Sequence, residues 1–378
     1  MRRRTSAALA ATALLGAGAA AVAAGRIAGG AALRTHPERG EPAGFHGPEL
    51  TVHSVESDRI ALTRTLATLR PGRYGISGRT CRAVVGPVLD EPGEADTVVR
   101  RLERISHGDL TAGTRVKLTP QLYEGDPHSA LGITCADVDI PGADGKLPAW
   151  FVPGHRDTWI VTLHGLGSGR EHPLNVLPFL QQHRFPVLLP AYRGDLGAPP
   201  LPDGLSRLGT QEWRDADAAV HYAVRFGARR VLLYGWSVGA AMALHTAARS
   251  ALRDRIAGIV LDSPVLDPAA TLRALAADRG VPRPLLPLAV AAARARIALD
   301  HATPPDADTR PDGAPRPMLL VHGPADSVAP WDVSRRFADR HPANVTLHSV
   351  ANAGHAAMWN AGPSSYEEAL RRFLTPLI

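Results

Sequence analysis

The sequence predicts an α/β fold: a mostly parallel central sheet with helices on both faces, preceded by a small β-rich module and an N-terminal hydrophobic helix. Three observations predict it. After Pro148, apolar runs of strand length (WIVTLHG, FPVLLPAY, RRVLLYG, AGIVLDS, PMLLVHG and VTLHSV) alternate with helical patterns, as in sheets built from strand–helix–strand units. Between Leu50 and Lys146, short β-like pieces such as RIALTRTL and TRVKLTPQLY are separated by Gly and Pro turns, without the internal repeat of a propeller. The chain also starts with three arginines and a long uncharged run. The divisions that follow are 1–33, a membrane anchor or signal segment; 34–146, a linker and the β-rich module; and 147–378, the α/β domain, with a helical cap over 264–315.

At the start, Arg2, Arg3 and Arg4 precede an uncharged stretch from Thr5 to Gly25, about 21 residues or roughly 31 Å as a helix, long enough to span a bilayer. Ala21, Val22 and Ala23 also suit a signal-peptide cleavage site, so anchor and cleaved signal both remain open. Either way the arginines stay inside and the body is exported. Residues 35–48, rich in Pro, Gly, His and charge, read as a linker.

With 378 residues, 45% of them hydrophobic, the chain can bury a large core. The net charge of +6 comes almost wholly from arginine, Lys117 and Lys146 being the two lysines. Those arginines alternate with Asp and Glu instead of gathering in one basic patch with aromatics between them, which argues against a nucleic-acid partner. An exported chain with two cysteines, Cys81 and Cys135, allows one intramolecular disulfide; two separate small thiols fit the spacing equally well.

Ligands on parallel sheets bind at the carboxyl ends of the strands, so the chemistry is expected just after each apolar run. VLLYGWSVGAAMALHTAA reads as strand, sharp turn and helix, with Gly235 and Gly239 two residues either side of Ser237. Side chains at those two positions would collide in so tight a turn, and their absence lets a hydroxyl project at the sheet edge. A serine hydroxyl becomes a nucleophile only when a base takes its proton, and an acid must orient that base. Asp326 in HGPADS and His355 in ANAGHAA each follow a later strand, in the order Ser, Asp, His, with one helix and one strand between acid and base. Asp262 in LDSP is the rival acid. The oxyanion formed during attack needs two backbone N–H groups; Val238 follows the nucleophile, and Leu166 in HGLGSG is the expected second donor. HGLGSG lacks the spacing and the Lys-Ser or Lys-Thr pair of a phosphate loop. Neither a metal nor a cofactor is required.

Taken together, HGLGSGR, YRGDLG, GWSVGAA, LDSP, HGPAD and AGH, in this order over residues 147–378, resemble the α/β-hydrolase superfamily, and within it the serine aminopeptidase and prolyl oligopeptidase-like branch. The N-terminal module resembles that of exported or membrane-anchored bacterial serine hydrolases. The resemblance implies the α/β-hydrolase fold and a small-molecule ester or peptide-like substrate, with an ester of small or medium acyl chain as first expectation. A serine peptidase is the alternative, and a non-catalytic cell-envelope binding protein the competing class. Ala240 departs from the third glycine that many relatives carry.

Overall fold

The computed structural model of the protein describes residues 30, 33–34, 41–90, 94–298, 313 and 315–377. The expected signal or anchor segment therefore lies almost wholly outside the described residues. No helix among the described residues is long and apolar enough to cross a membrane.

Residues 50–119 form a closed barrel of six strands: β1 (Leu50–Val55), β2 (Arg59–Thr63), β3 (Tyr74–Gly78), β4 (Arg82–Val88), β5 (Thr97–His107) and β6 (Arg115–Thr119), in the order β1-β2-β5-β4-β3-β6. Pairing of Leu50 with Val116 joins β1 to β6 and closes the ring, which removes free sheet edges. Alternation along the strands sends Val52, Ile60, Leu62, Ile76, Val116 and Leu118 into the barrel core, while Arg115 and Lys117 face out.

The second sheet has eight strands: β7 (Ala136–Gly142), β8 (Gly145–Val152), β9 (Thr158–Leu163), β10 (Val187–Pro190), β11 (Arg230–Trp236), β12 (Ile256–Asp262), β13 (Met318–His322) and β14 (Val345–Ser349). Their order is β14-β13-β12-β11-β9-β10-β8-β7. From β10 to β14 all pairs are parallel, and β8 runs antiparallel to both β10 and β7. Strands β9, β10, β12 and β13 are buried along their whole length because helices cover both faces. Successive residues feed opposite faces: Leu233, Ile259, Leu261 and Leu320 join the core under the helices Trp213–Arg225 and Val238–Arg249. Leu232, Tyr234, Val260 and Leu319 join Tyr366, Leu370 and Phe373 of the helix Pro363–Leu374 on the other face. The order reverses at β9, whose neighbours are β10 and β11, and a crevice at the carboxyl ends of the strands follows from that reversal.

Two expectations, the domain boundary and the linker, need correction, and one open alternative, the state of the cysteines, closes. The boundary at 146/147 falls inside β8, and the hairpin β7–β8 is hydrogen-bonded to β10, so the large sheet begins at Ala136. Cys81 and Cys135 are separate thiols, because Cys81 is buried in the barrel core while Cys135 packs beside the second face of the large sheet. Residues 41–46, read as linker, are packed between barrel and sheet: Phe45 belongs to the barrel core and Ala43 to the core of the large sheet. In the expected cap, the helices Pro268–Asp278 and Leu286–Arg296 bury Leu272, Leu275, Val290 and Ala293 against the large core, and residues 299–312 lie outside the described residues.

Candidate active site

Strand β11 ends at Trp236, and the helix Val238–Arg249 starts two residues later, so Ser237 carries the whole change of direction at φ 55° and ψ −114°. A non-glycine residue held at positive φ costs about 1–3 kcal/mol and persists only where its surroundings enforce it. Here the surroundings are tight. A Cβ on Gly239 would lie 2.0 Å from the Leu163 carbonyl oxygen, and one on Gly235 would lie 2.4 Å from the Ala240 nitrogen. Backbone bonds fix the turn: the Ser237 N–H donates to Asp262 O (2.9 Å), and its own carbonyl accepts from Val265 N (3.3 Å).

The Ser237 hydroxyl meets His355 Nε2 at 2.7 Å, and His355 Nδ1 meets Asp326 Oδ2 at 2.8 Å. Burial works to raise the Asp326 pKa, but the electrostatic attraction of the His355 and His322 rings and their hydrogen bonds outweigh it and hold the carboxyl well below the usual range. An ionised carboxylate only accepts, so Nδ1 of His355 carries its proton and Nε2 is left with a lone pair toward the serine. The other Asp326 oxygen accepts from the amides of Val328 and Ala329, both at 2.8 Å. Asp262 takes no part in this row. Its carboxylate accepts from Ser263 Oγ (2.8 Å) and from the Tyr366 hydroxyl (2.9 Å), and its pKa is pushed up to about 7, chiefly by burial.

Val238 supplies the first backbone N–H of its helix, one that has no partner within the helix. The loop after β9 carries Leu166 alongside, since a Cβ on Gly165 would lie 3.0 Å from Ser237 Cβ and 3.7 Å from Oγ. That loop is pinned by His164. Its ring stacks on Tyr192 (centroids 4.3 Å apart), Nε2 meets Asp195 Oδ2 at 2.8 Å and Nδ1 meets the Gly165 carbonyl at 3.1 Å. Burial alone would lower the His164 pKa, but the Asp195 charge and hydrogen bond outweigh it and raise the value. A protonated ring donates from both nitrogens, which suits both partners.

Several residues at the site are not among those that the sequence singles out. His322 Nε2 donates to the same Asp326 oxygen as His355 (2.9 Å), and its Nδ1 accepts from Ser334 Oγ (2.7 Å); a histidine four residues before the acid in HGPAD is the sequence trace of this. The backbone of Ala356, next to His355 and itself at φ 51°, is held by its N–H, which donates to Ser263 Oγ (2.9 Å). Burial, with repulsion from the protonated His164, pushes the His172 pKa down to about 3.

The third unforeseen part is the strap of residues 41–46. Ala43 N donates to Leu166 O (3.1 Å), the Glu41 carbonyl fills the space over Gly167, and a Cβ on Gly44 would lie 2.9 Å from His355 Cβ. Ser237 is 2% exposed and His355 1%. The barrel contacts the same region: Arg70 crosses Gly354, and Asn360 Nδ2 donates to the carbonyls of Arg73 and Pro120, both at 2.8 Å.

Residues 158–283 match the family described as alpha/beta hydrolase fold, and residues 51–119, the barrel, match a family described as a domain of unknown function. The "Uncharacterized protein YfhR" of Escherichia coli strain K12 is 26% identical over 224 residues, 57% of this chain and 70% of that protein. Among solved structures, the chain is similar to the esterase Pf2001 of Pyrococcus furiosus, with a TM-score of 0.55 and 22% identity over 67% of this chain and 94% of that one. It is also similar to the proline iminopeptidase-related protein TTHA1809 of Thermus thermophilus, with a TM-score of 0.50 and 18% identity over 65% and 99%. At these identities the likeness to solved structures is one of fold. Strand order, the turn at Ser237 and the match of residues 158–283 to the alpha/beta hydrolase fold family agree on an α/β-hydrolase fold for the large sheet and its helices.

Proposed function

We propose that the protein is a serine hydrolase that cleaves carboxylic esters of small or medium acyl chains through an acyl-enzyme. The observation that carries this reading is the hydrogen-bonded row from Ser237 through His355 to Asp326. His355 Nε2 takes the hydroxyl proton as Ser237 Oγ bonds to the substrate carbonyl carbon. The amides of Val238 and Leu166 hold the negative oxygen. Collapse of this intermediate expels the leaving group, which receives the proton from His355. Water, deprotonated by the same imidazole, then releases the acid. Asp326 stays ionised throughout and stabilises the imidazolium.

An esterase among the structural relatives is in keeping with an ester substrate, and the relative described as proline iminopeptidase-related keeps a peptide substrate as the second reading. Binding alone would require no ordered nucleophile, base and acid, which weighs against a non-catalytic role. A fluorophosphonate probe should label the wild type and leave Ser237→Ala unlabelled; equal labelling of both would remove Ser237 from the mechanism. Nitrophenyl esters of increasing chain length, tested beside aminoacyl-nitroanilides, separate the two substrate readings. We also read the chain as exported, held at the membrane or cleaved at its start, on the basic residues Arg2 to Arg4 and the uncharged run after them. Fractionation of cells expressing the full chain tests this, and recovery in the cytosol alone would overturn it.

A further inference from the structure

A cleft of about 690 Å³ lies between the outer face of the barrel and the strap. Its chemistry follows from strand periodicity. Along β6, Arg115, Lys117 and Thr119 project on the outer side, while Val116 and Leu118 turn their side chains to the barrel core. Strand β3 sets Ser77 opposite Lys117, the turn after it adds Arg79, and β4 opens with Arg82. The facing wall is Glu41, Pro42 and Phe45 of the strap. Four cations thus meet two carboxylates, Glu41 and Glu49, in one concavity. Arg115 Nη1 bonds the Thr51 hydroxyl at 2.6 Å, Arg82 pairs with Glu124, and Lys117 pairs with Glu41.

The Lys117–Glu41 pair links this cleft to the reacting groups. Glu41 opens the strap whose next residues bond the Leu166 carbonyl and cover His355, so a force on its side chain acts on the roof of the site. Burial would raise the Glu41 pKa, but the hydrogen bond and charge of Lys117 prevail and keep it below the usual value, so the pair is ionic. The Lys117 ammonium is a mobile point charge with three donors, and an anion held by the neighbouring arginines competes with Glu41 for it.

We propose that the cleft binds a phosphate group and that filling it draws Lys117 away from Glu41, which loosens the strap over Ser237 and His355. One guanidinium fork is enough for a carboxylate; several forks and an ammonium around one concavity match the three oxygens and double charge of a phosphate. The inference rests on Ser237 as the reacting group and names the substrate or activator class for that site. A phosphate on the ester itself and a free phosphate ligand share this chemistry.

The test uses the full chain and inorganic pyrophosphate at constant ionic strength. Calorimetry should show binding to the wild type and to Ser237→Ala alike, weakened at least about tenfold in Arg79→Ala/Arg115→Ala. Amide exchange at Ala43 and Gly44 should speed up several-fold with pyrophosphate, and should be fast without it in Glu41→Gln. Equal binding by wild type and the double arginine variant, or strap exchange unmoved by both pyrophosphate and Glu41→Gln, would overturn the proposal. Neither readout needs catalysis, so a failure of the Ser237 reading shows separately as absent fluorophosphonate labelling. A hexanoyl glycerol phosphate hydrolysed faster than hexanoyl glycerol places the phosphate on the substrate; pyrophosphate stimulation of the neutral ester places it on a free ligand. Both effects should disappear in the double variant, and their persistence there would also refute the assignment.

Discussion

Asp326 accepts four hydrogen bonds, two from imidazoles on one oxygen and two from amides on the other. Such a carboxylate has no freedom to rotate, and it fixes the tautomer of His355. Asp326→Asn should therefore lower kcat by about 10⁴, the size seen when the base is left in the wrong tautomer in a serine protease; turnover close to wild type would move the role elsewhere. Ser263 acts one step further out, through the Ala356 amide. Ser263→Ala leaves that N–H unpaired, a cost of about 1–3 kcal/mol. A small displacement of the base should then reduce kcat by between about 10- and 100-fold with KM little changed. A change in KM alone would contradict a role in holding His355. For Asp262 the outcome is a pH effect on stability. Because its folded pKa is raised to about 7, the folded protein keeps a proton that the unfolded chain releases near the ordinary carboxyl value. Its contribution is full below that ordinary value and is lost as pH climbs toward 7. Asp262→Asn should flatten this decline, and Tm curves for the two proteins that run parallel from about pH 4 to 8 would refute it.

The strand–turn–helix around Ser237 is the element whose geometry tolerates least change. Gly239→Ala places a methyl against the Leu163 carbonyl, backbone that cannot move aside without disturbing β9. The expected loss is about 3 kcal/mol or more in urea unfolding, and a midpoint equal to wild type would contradict it. Elements like this one were readable because their constraints are local: GWSVG states its own turn, and HGPAD and AGH follow strands visible as apolar runs. The β7–β8 hairpin was not readable as part of the large sheet. Its residues show the same twofold alternation as the barrel strands, and only pairing of Val152 with Val187 decides which sheet it joins. The strap escaped for a related reason. Glu41, Pro42 and Gly44 look like loop residues, and their position depends on partners as distant as Leu166, Lys117 and His355.

At the scale of the whole molecule, barrel and large sheet are joined by backbone and buried side chains. Arg100, fully buried, donates to the carbonyls of Thr68, Arg70 and Gly72, which shapes the barrel loop that lies against Asn360 and Gly354. Burial pulls the Arg100 pKa down to about 10, still well above neutrality, so the guanidinium stays charged. Nothing in an arginine-rich sequence distinguishes this residue from its exposed neighbours. With the His355 loop shared between the two bodies, calorimetry should show one cooperative unfolding transition; two well-separated transitions would mean that the bodies are energetically independent. Trp236, the residue before Ser237, stacks on Tyr234 with centroids 4.1 Å apart and lies 5.3 Å from the ring of His172. An indole so placed is an intrinsic optical reporter: formation and decay of a covalent adduct on the adjacent oxygen should register in its emission in real time, with no dye attached.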